Sequence, residues 1–427
     1  MPSKLLTHIK NRLRGYKAYR LATEVKACLQ TCVQKALKEI DRPDLKVVSL
    51  KPEGRSRGNV LFSYINAPFL LKPGEPMPTS HTQYWESYQM VNTFLELGYS
   101  VDVINYTNCT FLPYKDYAFF IDARRNLERL APLLNPECVK IMHIDTSHIL
   151  FHNAGEASRL LALQQRRGAT LQPRRFEMPN LGIEHADCAT MMGNKFTSRT
   201  YNYAKKPVFC LPISTPTLYP WPKEKNFEAC RKRFVWFGSG GMVHKGLDLV
   251  LDVFAAMPEY HLTICGPVEQ EKDFERAYYK ELYQTPNIRT VGWIDVASPE
   301  FIEIANTSIG LIYPSCSEGQ CGGVVTCMHA GLIPVVSYES GVDVGSDFGV
   351  LLESCTLDEI RNAVLRISTL LSQQLQRMAR KAWEFARANH TKERFAEEYR
   401  RAIDKIMANH RDSRDSQTNG SSLPEEG

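Results

Sequence analysis

No apolar run in the 427-residue sequence approaches the ~18 residues that a membrane-spanning helix needs, so no bilayer-spanning segment is expected. The opening MPSKLLTHIKNRLRGYK has no apolar stretch of the kind that marks a secretion signal. A cytoplasmic location is the expectation, peripheral on the inner membrane face if the basic start binds lipid. No Cys-x-x-Cys pair occurs among the twelve cysteines, and the cluster Cys316, Cys321, Cys327 has no histidine at zinc-finger spacing. Reduced, mostly buried thiols are expected, and no metal site. The Walker A pattern is missing, as is Gly-x-Gly-x-x-Gly, which argues against nicotinamide binding. Basic motifs interleaved with aromatics are also missing, so nucleic acid is not an expected partner.

The net charge of +5 is concentrated at one end. Residues 1–40 carry nine Lys or Arg against Glu24 and Glu39, which leaves the rest of the chain slightly acidic. Leu5, Ile9, Leu13 and Tyr16 recur at helical spacing between these cations. Such a helix either lies on an anionic membrane surface or packs on the protein with a solvated cationic face, and the sequence leaves both open.

Hydrophobic residues make up 43% and charged residues 23%, ordinary globular usage, and the length favours two domains. Short apolar runs alternate with helical patterns throughout. NVLFSYINAPF, a helix from His81 to Leu97 capped by Ser80, and YSVDVINY read as strand, helix, strand. The pattern returns after the proline-rich TPTLYPWPKEKN, from RFVWFG to IPVVSY. The predicted class is α/β, with two Rossmann-like doubly wound domains facing a central cleft. The divisions read as a basic helical segment at 1–45, a first domain at 46–214, a linker at 215–226 and a second domain at 227–390. A helix at 391–408 and a disordered tail at 409–427 follow.

Doubly wound sheets bind ligands beyond the carboxyl ends of their strands, so the residues just after each strand are the candidates. GSGGMVHKG, Gly238 to Gly246, joins a strand to a helix. Its glycines let backbone amides approach a phosphate, and Lys245 adds a point charge. PSCSEGQCGGVVTCMHAG places Glu318 after a buried strand and before a glycine-opened helix, where a carboxylate can accept bonds from sugar hydroxyls. His143 and Asp145 end the strand VKIMHID, followed by Thr146, Ser147 and His148. Arg166, Arg167, Arg174 and Arg175 form two short basic runs whose default reading is solvated, with a phosphorylated acceptor as the functional one.

In order along the chain, FVWFGSGGMVHKGLDLVLDVF, LTICGP, IRTVGWID, YPSCSEG and HAGLIPVV resemble the GT-B glycosyltransferases of the large retaining family 4. The match is good over roughly 233–340 and looser over 59–215. The resemblance implies transfer of a sugar, with retention, from a nucleotide-sugar to an acceptor hydroxyl. The acceptor would be a glycan or a lipid-linked polysaccharide precursor. The nucleotide-sugar is a substrate, and no cofactor is implied. Lys245 would bind the diphosphate, Glu318 the donor sugar, and His143 would touch the sugar. The donor site would comprise Gly238, Ser239, Gly240, Gly241, Lys245, Gly266, Glu318, Gly319, Gly322, Gly323 and Thr326. Ser80, His81, Asp145 and His148 would lie on the acceptor or sugar side.

The departures from the family pattern are specific. Ser239 stands where the family has an arginine, and Thr326 where it has a second glutamate. Thr79, Ser80 and His81 replace a glycine pair after the first strand. No Asp-x-Asp pair exists to hold a divalent cation, which agrees with a lysine and helix termini neutralising the leaving group. The losses at 239 and 326 keep a catalytically silent binding or scaffold protein as an alternative, with a nucleotide-sugar epimerase a third reading.

Overall fold

A computed structural model describes residues 42–419, with side chains described as far as Arg411. The basic helix and membrane surface expected of residues 1–40 lie outside the described residues, apart from a short turn at Pro43–Leu45 that closes the 1–45 segment. No helix among the described residues is long and apolar enough to cross a membrane.

The first half builds a seven-stranded sheet. Its strands are β1 (Val48–Leu50), β2 (Asn59–Tyr64), β3 (Ser100–Asn105), β4 (Phe119–Asp122), β5 (Val139–Ile144), β6 (Cys188–Met192) and β7 (Val208–Leu211). The spatial order is β1-β3-β2-β4-β5-β6-β7, and only the edge strand β1 is antiparallel. Parallel strands are covered by helices on both faces, which is why they read as unbroken apolar runs. In β2, Val60, Phe62 and Tyr64 join one core, with Met90, Val91 and Phe94 of the helix Thr82–Glu96. Leu61 points the other way, into a core with Phe120, Leu127 and Met191.

The second half builds a six-stranded parallel sheet from β8 (Arg233–Phe237), β9 (His261–Cys265), β10 (Ile288–Gly292), β11 (Gly310–Tyr313), β12 (Ile333–Ser337) and β13 (Val350–Leu352). Its order is β10-β9-β8-β11-β12-β13. The proline-rich connection at 215–226 is pinned to the second half. Tyr219 is buried, its hydroxyl donates to the Val296 carbonyl at 2.5 Å, and Trp383 Nε1 donates to the Tyr219 carbonyl at 3.1 Å.

The last helix, Lys392–Asn419, lies against the helix Thr82–Glu96, with Phe395 edge-on to Trp85 at 6.0 Å. Of the disordered tail expected at 409–427, residues 409–419 have helical backbone and residues 420–427 lie outside the described residues. Helical backbone continues through Asn419, and its amphipathic side buries Phe395, Tyr399, Ile403 and Ile406.

Candidate active site

Residues at or just beyond the carboxyl ends of β4, β5, β6, β8, β9, β10 and β11, with the loop that opens the helix Thr82–Glu96, border a cleft between the halves. Eleven of the sequence-predicted residues meet on its walls. Ser80, His81 and Asp145 come from the first half, and Gly238, Ser239, Lys245, Gly266, Glu318, Gly322, Gly323 and Thr326 from the second.

Lys245 and Glu318 form the charged centre. Lys245 Nζ lies 2.6 Å from Glu318 Oε1, and the same oxygen accepts from the Tyr313 hydroxyl at 2.9 Å and Ser315 Oγ at 3.3 Å. Lys245 also donates to the Tyr313 hydroxyl at 2.8 Å. Burial would raise the Glu318 carboxyl, but the Lys245 charge overrides it and holds the group far below the usual carboxylate range. All three bonds fall on Oε1, so Oε2 has no partner among the described residues. Trp236 supports this arrangement. It stacks on Tyr313, donates Nε1 to the Lys245 carbonyl at 3.2 Å, and fills the space where side chains at Gly238 and Gly266 would stand. These two glycines therefore serve packing as well as backbone access.

Two helices begin at the cleft from opposite sides. A side-chain carbon on Gly322, at the start of Gly322–His329, would stand 3.4 Å from Thr82 at the start of Thr82–Glu96. The first N–H groups of a helix have no intrahelical partner and its amino end is positive, so an anion between these ends is stabilised by both. His81, not Ser80, caps the first helix, with Nδ1 accepting from the Gln83 N–H at 3.3 Å. The ring is solvent-exposed and neutral at pH 7, which leaves Nδ1 able to accept that bond.

Other expectations are corrected. His143 does not reach the cleft. It is fully buried beneath the sheet, bonded through Nδ1 to Thr190 Oγ1 at 2.9 Å and packed edge-on to Tyr64. Burial pushes its pKa down to about 4. Residues 143 and 145 share one side of the strand and both meet Tyr64, but His143 lies inside β5 whereas Asp145 stands just beyond its carboxyl end, where the cleft opens. Asp145 accepts from Tyr64 at 3.0 Å, Gln83 at 3.1 Å and Arg124 at 3.2 Å. His148 caps the helix Ile149–Arg167 and meets the Tyr203 hydroxyl at 3.0 Å, away from the cleft lining.

Gly240 and Gly241 also stand outside the lining. The Glu271 carboxylate accepts the N–H groups of Gly241 and Met242, so these amides are already taken. Gly319 instead lets the second half approach the Asp145 backbone. Of the basic runs, Arg166 pairs with Asp248 and Asp252, Arg167 with Asp252 and Glu281, and Arg174 with Asp273. Those contacts bind the halves together and leave none of the three for a ligand.

The sequence reading passed over Tyr313, Arg124 and Gln83 and left Arg175 among solvated arginines, yet all four line the cleft. Tyr313 ends a buried strand just before Glu318 and was within reach of a sequence argument. Arg124 and Arg175 follow no local pattern, and only the tertiary fold brings them in.

No family model matches the sequence, and no curated protein matches it. Solved structures do. Sucrose-phosphate synthase from Thermosynechococcus elongatus superposes with a TM-score of 0.58 at 12% identity, covering 82% of this chain and all of that one. An α,α-trehalose 6-phosphate synthase from Burkholderia multivorans gives 0.56 at 10%, over 88% of this chain and all of the other. HepE from Anabaena, solved with UDP and glucose, gives 0.51 at 11%, over 82% and all of its length. Two Rossmann-like sheets opening their strand ends onto one cleft, together with these likenesses, show that the chain has the GT-B fold.

Proposed function

We propose that the protein is a metal-independent, retaining glycosyltransferase that moves a sugar from a nucleotide-sugar to an acceptor hydroxyl. One observation carries the reading: the buried Lys245–Glu318 pair stands in the interdomain cleft beside two facing helix starts. A lysine and a carboxylate held together at such a place suit a ligand with an anionic end and a hydroxylated end. UDP and glucose occupy the Anabaena protein of the same fold.

In this reading the diphosphate sits against Lys245 and the starts of the helices Thr82–Glu96 and Gly322–His329. Charge developing on the leaving oxygen as the sugar C1–O bond breaks is met by these donors, already in place and shielded from water. Glu318 Oε2 accepts hydroxyls of the donor sugar, while Oε1 stays with Lys245 and Tyr313. The acceptor oxygen forms the new bond to C1 on the face the diphosphate leaves, and its proton passes to the departing phosphate oxygen. Asp145, the carboxylate on the opposite wall, is held by Arg124, Tyr64 and Gln83, which makes it a weak nucleophile and base. A glycan or lipid-linked precursor is the proposed acceptor.

The test is a thermal-shift screen against UDP-, GDP-, ADP- and CMP-sugars, followed by NMR of the product anomer. Stabilisation by one nucleotide class and a retained anomeric configuration support the reading. No stabilisation by any of them contradicts it. The silent-binder alternative draws on Ser239, an uncharged residue on the cleft wall. It predicts stabilisation by a nucleotide-sugar with no transfer to any acceptor.

A further inference from the structure

Three described cations line the cleft: Arg124, Lys245 and Arg175. Arg124 is committed to Asp145 and Glu177, and Lys245 to Glu318. Arg175 makes no ion pair and no side-chain hydrogen bond among the described residues, and its Nε is buried without a partner.

The position of Arg175 is nonetheless fixed. Its backbone N–H donates to the Glu156 carboxylate at 2.9 and 3.0 Å, and its carbonyl meets His152 Nε2 at 2.7 Å. The side-chain stem crosses from the first half over the Gly238–Gly246 turn of the second. It runs so close to Gly241 that a side-chain carbon there would lie 2.6 Å from Arg175 Cγ. The side chain lines the cleft together with His81 of the first half and Lys245 and Glu318 of the second. A guanidinium whose backbone and stem are held at the cleft, and whose Nε is buried without an anion, implies that the anion arrives with the ligand.

We infer that Arg175 binds the diphosphate of the donor, reaching it from the first half of the chain, opposite Lys245. The inference rests on the nucleotide-sugar reading of the cleft and adds to it. Lys245 has part of its charge spent on Glu318, so Arg175 is the cation with most to gain from a diphosphate. Its fork can take two phosphate oxygens at once. Because Arg175 and Lys245 belong to different halves, the diphosphate ties the halves together across the cleft.

The test is calorimetric titration of the full chain with UDP, GDP and ADP and with their monophosphates. Arg175→Ala is compared with Arg175→Gln, which keeps the stem over Gly241, and with Arg175→Lys, which keeps the charge. The parent should bind one diphosphate more tightly than its monophosphate. Arg175→Ala and Arg175→Gln should each weaken the diphosphate ~10–100-fold, the effect of losing a charge-assisted bond, and narrow its advantage over the monophosphate. Arg175→Lys should recover part of the loss. If the parent binds a diphosphate and the Ala and Gln variants keep its full advantage, the inference falls while the nucleotide reading stands. If the parent binds none of the nucleotides, the nucleotide reading falls and the inference with it.

Discussion

Gly319 and Asp145 stand so close that a side-chain carbon on the glycine would lie 2.3 Å from the aspartate's carbonyl oxygen. The contact is backbone against backbone. It joins the loop that presents Glu318 to the end of β5, so it sets the width of the cleft. Ser147 and Ser317 hydrogen-bond beside it, and Thr197 Oγ1 donates to the Gly319 carbonyl at 3.1 Å.

Gly319→Ala should therefore push the halves apart. Neither backbone can give way as a flexible side chain would. The expected cost is ~1–3 kcal/mol, as for overpacking elsewhere in folded proteins, with a loss of any cleft-bound activity. Urea unfolding reads the first and nucleotide affinity the second. A variant with the parent's midpoint and affinity would show that this contact does not set the cleft.

The Lys245–Glu318 pair should behave as a unit. Lys245→Met leaves a largely buried carboxylate without its cation, at a cost of ~3–5 kcal/mol. Lys245→Met/Glu318→Gln should recover most of that. The Glu318 pKa is depressed in the folded state, so its contribution is complete above the unfolded value of ~4.3 and is lost as pH falls below it. Acid titration of stability should accordingly be shallower for Glu318→Gln than for the parent. Equal acid limbs would mean that the pair contributes nothing.

Glu86 predicts the opposite slope. It is fully buried on the helix Thr82–Glu96, and Oε1 accepts from the Ser214 N–H at 2.9 Å and the Ser214 hydroxyl at 2.8 Å. Burial pushes its pKa up to about 7. Between the unfolded value and 7 the folded chain holds a proton that the unfolded chain has released, so stability falls as pH rises through that window. Glu86→Gln should remove the slope and stabilise the protein at pH 8 by on the order of 1–3 kcal/mol, with little effect at pH 5. Melting temperatures of both chains across this range would decide it, and parallel curves would refute it.

The two sheets and the cleft were legible because parallel strands buried on both faces leave unbroken apolar runs, and their ends mark the ligand edge. Lys245 and Glu318 followed from that rule, and Gly322 and Thr326 from the family resemblance. His143 misled because it lies two residues before Asp145 on the same side, inside β5, and only the residue beyond the strand's carboxyl end reaches the cleft. Gly241 looked like a phosphate amide, but Glu271 reaches its N–H from far along the chain. The helical backbone through 409–419 was hidden because that stretch is polar throughout and carries no apolar repeat. Arg175 stood out only as one of a basic run, with nothing to separate it from its neighbours. Its neighbour Arg174 pairs with Asp273, while Arg175 faces the cleft, a difference made by tertiary contacts alone.

The central claim is that Lys245 stabilises a departing diphosphate, and the most direct measurement is steady-state transfer from a nucleotide-sugar by the parent and by Lys245→Ala. The screen that identifies the stabilising nucleotide selects the donor, and release of nucleoside diphosphate in the presence of acceptor extract gives the rate. The account predicts turnover by the parent and a drop of ~10²–10³ in the variant, the usual cost of one such donor. Parent-like turnover in Lys245→Ala, or a parent that releases no diphosphate, would contradict it.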